Sequence, residues 1–146
     1  MIALASTGVA LVLAVLVALP AQAQPRPFSC VGAEALEDDV FAVPFPAGSD
    51  RLAEGARSGI EAAAALLRAE PERNACVLGH ADRSQGAGTS TQLAARRARA
   101  VAEALSTRGI QRDRIRAEAR VGAFSGRQRE PVARAVTIVV MPSRDH

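Results

Sequence analysis

The chain has no lysine, tryptophan or tyrosine, and its aromatic content is 3%, carried by four phenylalanines in 146 residues. Without aromatic platforms on which bases can stack, it is a poor candidate for binding single-stranded nucleic acid. All 18 basic side chains are arginine, a bias that a high-GC coding sequence accounts for, and 15 acidic residues hold the net charge at +3. The high isoelectric point therefore reflects strong bases lightly outnumbering acids, and nucleic acid is not expected as a partner. Histidine is confined to His80 and the terminal His146, and no cysteine or carboxylate cluster has metal-ligand spacing. Ser84 and Ser90 stand in no Gly-x-Ser-x-Gly elbow, and Gly86-Ala87-Gly88 does not complete a phosphate-cradling signature. Composition and motifs thus point away from an enzyme, from a metal site and from any cofactor.

Charge is also missing from the first 23 residues, where Ile2 to Leu19 is almost wholly apolar and Pro20-Ala21-Gln22-Ala23 follows. The small residues of Ala21-x-Ala23 suit a signal peptidase, so 1–23 reads as a signal peptide cleaved before Gln24. The competing reading is a retained anchor, because an apolar run of about 18 residues can just span a bilayer. Cys30 follows Pro27-Phe28-Ser29, which is no lipoprotein cleavage box. Cleavage would leave no integral membrane segment and would deliver the chain to an oxidising compartment. There the only two cysteines, Cys30 and Cys76, would form a disulfide closing a loop of about 47 residues, a constraint of roughly 3 to 4 kcal/mol. Two buried free thiols are the alternative.

Residues 24–39 mix proline, glycine, acids and Cys30 without periodicity and read as an N-terminal arm holding a short local element. Val40 to Phe45 is a short apolar run, interrupted by Pro44 and ended by Pro46, that predicts an edge strand. From Arg51 to Ala69 the apolar positions recur at helical spacing until Pro71. Asn74 to His80 is too brief for a helix and predicts a strand. A small-polar loop then leads to a second helix over Thr91 to Arg108, for which Thr89, Ser90 or Thr91 is the N-cap and Gly109 the C′ residue. Ile115 to Val121 alternates apolar and charged residues as a half-buried strand should, Gly122 to Glu130 is polar loop, and Val136-Thr137-Ile138-Val139-Val140 within Val132–Met141 is the strongest strand signal. The order predicts an α+β sandwich, β-α-β-α-β-β, with two helices on one face of a four-stranded mixed sheet.

Three motifs sit at the element boundaries: Phe45-x-x-Gly48-Ser49-x-x-Leu52, Gly79-His80-Ala81-Asp82, and Leu93-Ala94-x-x-Arg97-Ala98-x-x-Val101. Together with the element order they resemble the OmpA C-terminal-like peptidoglycan-binding family over Val40 to Met141. The fifteen-residue interval from Asp82 to Arg97 matches the family motif. The resemblance divides the chain into 1–23, 24–39 and an OmpA-like domain at 40–146, and implies a non-catalytic module whose partner is the meso-diaminopimelate stem peptide of peptidoglycan. Carried over residue by residue, Asp82 and Arg97 hold the diaminopimelate, with weaker assignments for Ser90 and Arg134. In the family His80 is a structural position.

A free amino-acid centre offers an ammonium and a carboxylate. It needs one anionic acceptor, which Asp82 supplies, and one guanidinium fork, which lysine does not reproduce. The neighbours Arg96 and Arg99 read as solvated surface charges. Ala81 replaces the motif threonine, Ser90 the loop asparagine and Ala94 the serine of the helix. Pro46 and Ala47 stand where polar groups are common, and Ala133-Arg134-Ala135-Val136 replaces Asn-Arg-Arg-Val. Such a pocket makes fewer hydrogen bonds, each charge-assisted one lost costing roughly 1.5 to 3 kcal/mol. Two functions follow: a cell-wall-binding module of the periplasm, wall- or outer-membrane-associated, or a degenerate domain that assembles with protein partners of an envelope complex.

Overall fold

In the computed structural model, which describes residues 2–18, 27–82, 89–122, 124–130 and 135–143, the apolar runs become four strands and the alanine-rich segments two helices. The strands are β1 (Val40–Val43), β2 (Ala75–His80), β3 (Ile115–Arg120) and β4 (Val136–Val140), and the helices are α1 (Arg57–Ala69) and α2 (Thr91–Thr107). The expected α+β sandwich forms. The sheet order is β1-β4-β2-β3, with β4 antiparallel to both neighbours and β2 parallel to β3. A parallel pair needs a crossover, and α2 provides it between β2 and β3. The all-buried β4 lies inside the sheet, covered on both faces, which is why its sequence is a continuous β-branched run rather than an alternation.

Both helices present an i, i+3, i+4, i+7 stripe to the sheet: Ile60, Ala63, Ala64 and Leu67 on α1, and Ala94, Arg97, Ala98 and Val101 on α2. Helix α1 starts six residues later than its periodicity predicts. Leu52 is exposed, Ala53 is extended, and Glu54–Ala56 forms a 3-10 turn that delivers the chain into the helix. Two glycines let the helices come down onto the strands. A Cβ at Gly59 would overlap the Ala42 carbonyl, and one at Gly79 would overlap the Ala94 carbonyl of α2. Only glycine permits either approach.

The sheet has a core on each face. The larger, on the helix side, gathers Val43, Ile60, Leu67, Val77, Val101, Leu105, Val136 and Ile138. The smaller, on the opposite face, joins Cys76, Leu78 and Val139 to Cys30, Ala33 and Phe124, with Phe28, Leu36 and Met141 at its margin. Residues 27–39 therefore do more than fill a loop: they cover the back of the sheet. A disulfide between Cys30 and Cys76, with a Cα–Cα distance of 5.7 Å, pins this arm to the inner strand β2. The free-thiol reading is set aside.

Side chains also hold the arm by its carbonyls. Arg116 donates to Phe28 O at 2.9 Å, Arg120 to Cys30 O at 3.0 Å, and Arg127 to Glu37 O at 2.8 Å. The buried Gln128 amide donates to Ala33 O at 2.9 Å and Leu36 O at 2.8 Å, and Ser125 Oγ donates to Leu36 O at 3.0 Å. An irregular segment leaves its backbone carbonyls without strand partners, so these donors satisfy what secondary structure does not. At the far end of the sheet Arg73 joins Asp39, Glu70, Val140 O and Met141 O, while Arg114 donates to Leu67 O, Glu70 O and Arg73 O where α1 ends.

Residues 2–18 carry neither helix nor strand and are exposed, and no helix among the described residues is long and apolar enough to cross a membrane. The Ala21–Ala23 processing site lies outside the described residues.

Candidate functional site

The tetrad Gly79-His80-Ala81-Asp82 is split by the end of β2 into a buried part and an exposed part. Gly79 accepts the first turn of α2. His80 is buried: its Nε2 shares a 2.7 Å hydrogen bond with Thr137 Oγ1, and its ring stacks on Phe124 with centroids 3.7 Å apart. Burial pushes its pKa down to about 4, so the imidazole is neutral at physiological pH. A ring closed in by a hydroxyl and an aromatic face has a structural place. Ala81 is buried and its N–H bonds to Arg120 O at 2.9 Å. The chain then emerges, and Asp82 is exposed with its backbone N–H held by Thr89 O at 2.8 Å.

Ser90 is the N-cap of α2: its Oγ accepts from Leu93 N–H at 3.0 Å. That duty fixes where the helix begins and directs its first turn at Gly79. Arg97 lies two turns along, on the buried stripe, and is only 4% exposed. Its Nε donates to Ser49 O at 2.7 Å, one terminal nitrogen donates to Pro46 O at 3.0 Å, and the other reaches Thr89 Oγ1 at 3.4 Å. Its guanidinium carbon stands 5.4 Å from the centre of the Phe45 ring. Burial lowers its pKa, an effect that the nearby Asp50 carboxylate opposes.

The carbonyls that Arg97 holds belong to a β-turn. Ser49 N–H bonds to Pro46 O at 3.1 Å and Gly48 takes φ +69°, the left-handed conformation that glycine accepts at no steric cost. Beside it, Arg96 pairs with Asp50 at 3.2 Å, with both side chains nearly half exposed. Arg99 is exposed on the same helix. The structure thus gathers Asp82, Thr89, Arg97 and the 46–49 turn into one corner above the β2–α2 junction. Arg134 and the loop at 83–88 lie outside the described residues. Cys30 and Cys76 sit on the other face of the sheet as the disulfide.

Thr89 was not expected as part of the site, and the 46–49 turn enters it through the carbonyls of Pro46 and Ser49 rather than through side chains. A signal existed for Arg97 itself: it shares the apolar stripe with Ala94, Ala98 and Val101, whereas Arg96 and Arg99 fall off it. An arginine on a buried stripe must find acceptors within the fold. Among the described residues no group of three or more His, Cys, Asp or Glu side chains could hold a metal ion.

This fold and corner define an OmpA-like domain, and the OmpA family model matches residues 44–140, so the chain belongs to the OmpA family. The solved structures it is similar to agree in fold. The OmpA-like domain of FopA1 from Francisella tularensis subsp. tularensis SCHU S4 superposes with a TM-score of 0.55 at 16% identity, over 73% of this chain and 79% of that one. A putative MotB-like protein from Desulfovibrio vulgaris gives 0.52 at 21% identity, over 70% and 68%. The periplasmic domain of Helicobacter pylori MotB gives 0.52 at 18% identity, over 72% and 70%. No curated protein matches the chain.

Proposed function

We propose that this chain is a non-catalytic cell-wall-binding module of the periplasm that recognises the diaminopimelate stem peptide of peptidoglycan. In this reading 1–23 is its export signal. One observation carries the proposal: an exposed carboxylate, Asp82, ends the inner strand at the corner that the buried Arg97 builds, with the family's fifteen-residue interval between them. The exposed Asp82 is suited to an ammonium, because a charge-assisted hydrogen bond to a carboxylate is stronger than a neutral one. Membership of the OmpA family supports the choice of ligand class.

Co-sedimentation with purified diaminopimelate-type peptidoglycan, at about 0.15 M salt and at a higher concentration, tests it. The wild type should pellet at both salts, and Asp82→Ala and Arg97→Ala should each stay in the supernatant while remaining folded. A wild type that does not pellet would refute wall binding and leave an envelope-assembly role with a protein partner.

A further inference from the structure

We infer that the arm at 27–39 takes part in ligand binding, and that Arg120 is the positioning residue through which it sets Asp82. The inference rests on the wall-binding reading above. Asp82 stands beyond the last register pair of β2 with β3, His80 opposite Arg120. A strand end frays unless its final residues are held. His80 and Ala81, which lead into Asp82, are each held by a group that the arm itself grips. Ala81 N–H donates to Arg120 O at 2.9 Å, while the Arg120 guanidinium donates to Cys30 O at 3.0 Å and stands 3.8 Å from the Glu34 carboxylate. His80 stacks on Phe124, and the next residue, Ser125, is fixed to the arm: its N–H donates to Glu34 O at 2.7 Å and its Oγ to Leu36 O at 3.0 Å.

Arg120 needs such an anchor because β3 is an edge strand with β2 as its only strand neighbour. No ladder on the outer side fixes its backbone, so a side chain tied to the arm supplies the restraint that a second strand gives elsewhere in the sheet. The tie is firm at its other end, since Cys30 is bonded covalently to Cys76 on β2. A closed ring results: from Cys76 across the disulfide to Cys30, from its carbonyl to Arg120, from the Arg120 carbonyl to Ala81, and back along β2. The stretch of β2 that ends at the site carboxylate is thereby clamped at both ends. The family match begins at residue 44 and leaves the arm out, so half of this clamp lies outside the matched region. Arm closure and ligand binding then favour one another, because coupling between two sites is reciprocal.

The test uses the full chain and a diaminopimelate stem tripeptide. The double change Cys30→Ser, Cys76→Ser and the single change Arg120→Gln should each raise Kd at least about fivefold. Arg116→Gln, which releases only the Phe28 carbonyl, should change it less than about twofold. A wild-type Kd in Arg120→Gln, or equal losses in Arg120→Gln and Arg116→Gln, would overturn the inference. Amide exchange of the wild type decides the matter if the variants do not fold. Saturating tripeptide should slow exchange at Ala35 and Leu36 about fivefold or more and leave Glu70, at the far end of the sheet, unchanged. Arm amides that ignore the ligand, or slowing that Glu70 shares equally, would refute the coupling. Failure of the wild type to bind would instead remove the wall-binding reading, and the arm's part in binding with it. The clamp is then judged without ligand: Arg120→Gln should speed exchange at Ala81 and Asp82 at least about tenfold, and unchanged rates would refute it.

Discussion

The two faces of the sheet are held by different physics. On the helix face, α1 and α2 bury alanine, valine, leucine and isoleucine stripes against β1, β4 and β2, with glycines at the two closest approaches. On the back face a short irregular arm covers far fewer apolar groups and is kept in place by a disulfide, by donors aimed at its carbonyls and by a stacked imidazole. Where apolar area is ample, burial suffices. Where it is scarce, each contact has to be specific, because the ordering entropy of an irregular segment is no smaller than that of a helix.

The sharpest way to break this contrast is to remove the crosslink. Replacing Cys30 and Cys76 by serine should lower the unfolding free energy by about 4 kcal/mol, read from urea denaturation, with amide protection lost first at residues 27–36. A loss under about 1 kcal/mol would mean that polar contacts alone hold the arm. On the helix face Gly79→Ala should cost about 3 kcal/mol, since its Cβ would push the Ala94 carbonyl and with it the start of α2 away from the sheet. A neutral result there would show that the helix can shift freely.

The pH dependence isolates the back face. Unfolded, His80 takes up a proton below about pH 6.5, whereas folded it does so only near 4, so its contribution is whole above 6.5 and is lost as the pH falls through that window. The loss should total no more than about 3.5 kcal/mol, and His80→Gln should flatten that part of the stability profile. An unchanged slope in His80→Gln would assign the effect to other groups. The smallest effect belongs to the surface: Arg96→Ala breaks only the exposed pair with Asp50 and should change stability by less than about 0.5 kcal/mol in thermal melts.

The helix face was legible in the sequence, and of the back face only the Cys30–Cys76 link was, for one reason. Periodicity reports burial of whole elements, so the order of strands and helices, the β-branched β4 and the end of α2 at Gly109 could be read directly. The onset of α1 was misread because the apolar spacing runs on through Leu52, while the backbone at Ala53 is extended. The arm carries no periodicity at all. Its partners lie some 90 residues away, as in Arg120 to Cys30 and Gln128 to Ala33, and are recognised by carbonyls that every sequence possesses. The candidate site divides the same way. Asp82 and Arg97 were named from the family motif and its interval, but that Arg97 faces inward onto Pro46 and Ser49 depends on a turn whose placement no local pattern encodes.

The position of the disulfide imposes an order of events. Both sulfurs end beneath the closed arm, with Cys30 and Cys76 at 2% and 0% exposure. Exchange proceeds only by direct attack of a thiolate on a sulfur, so whatever oxidises the pair must reach the cysteines before the arm closes. Once the arm has closed, the same covering that excludes the oxidant excludes reductants. The bond is made during folding and afterwards is shielded from the chemistry that made it.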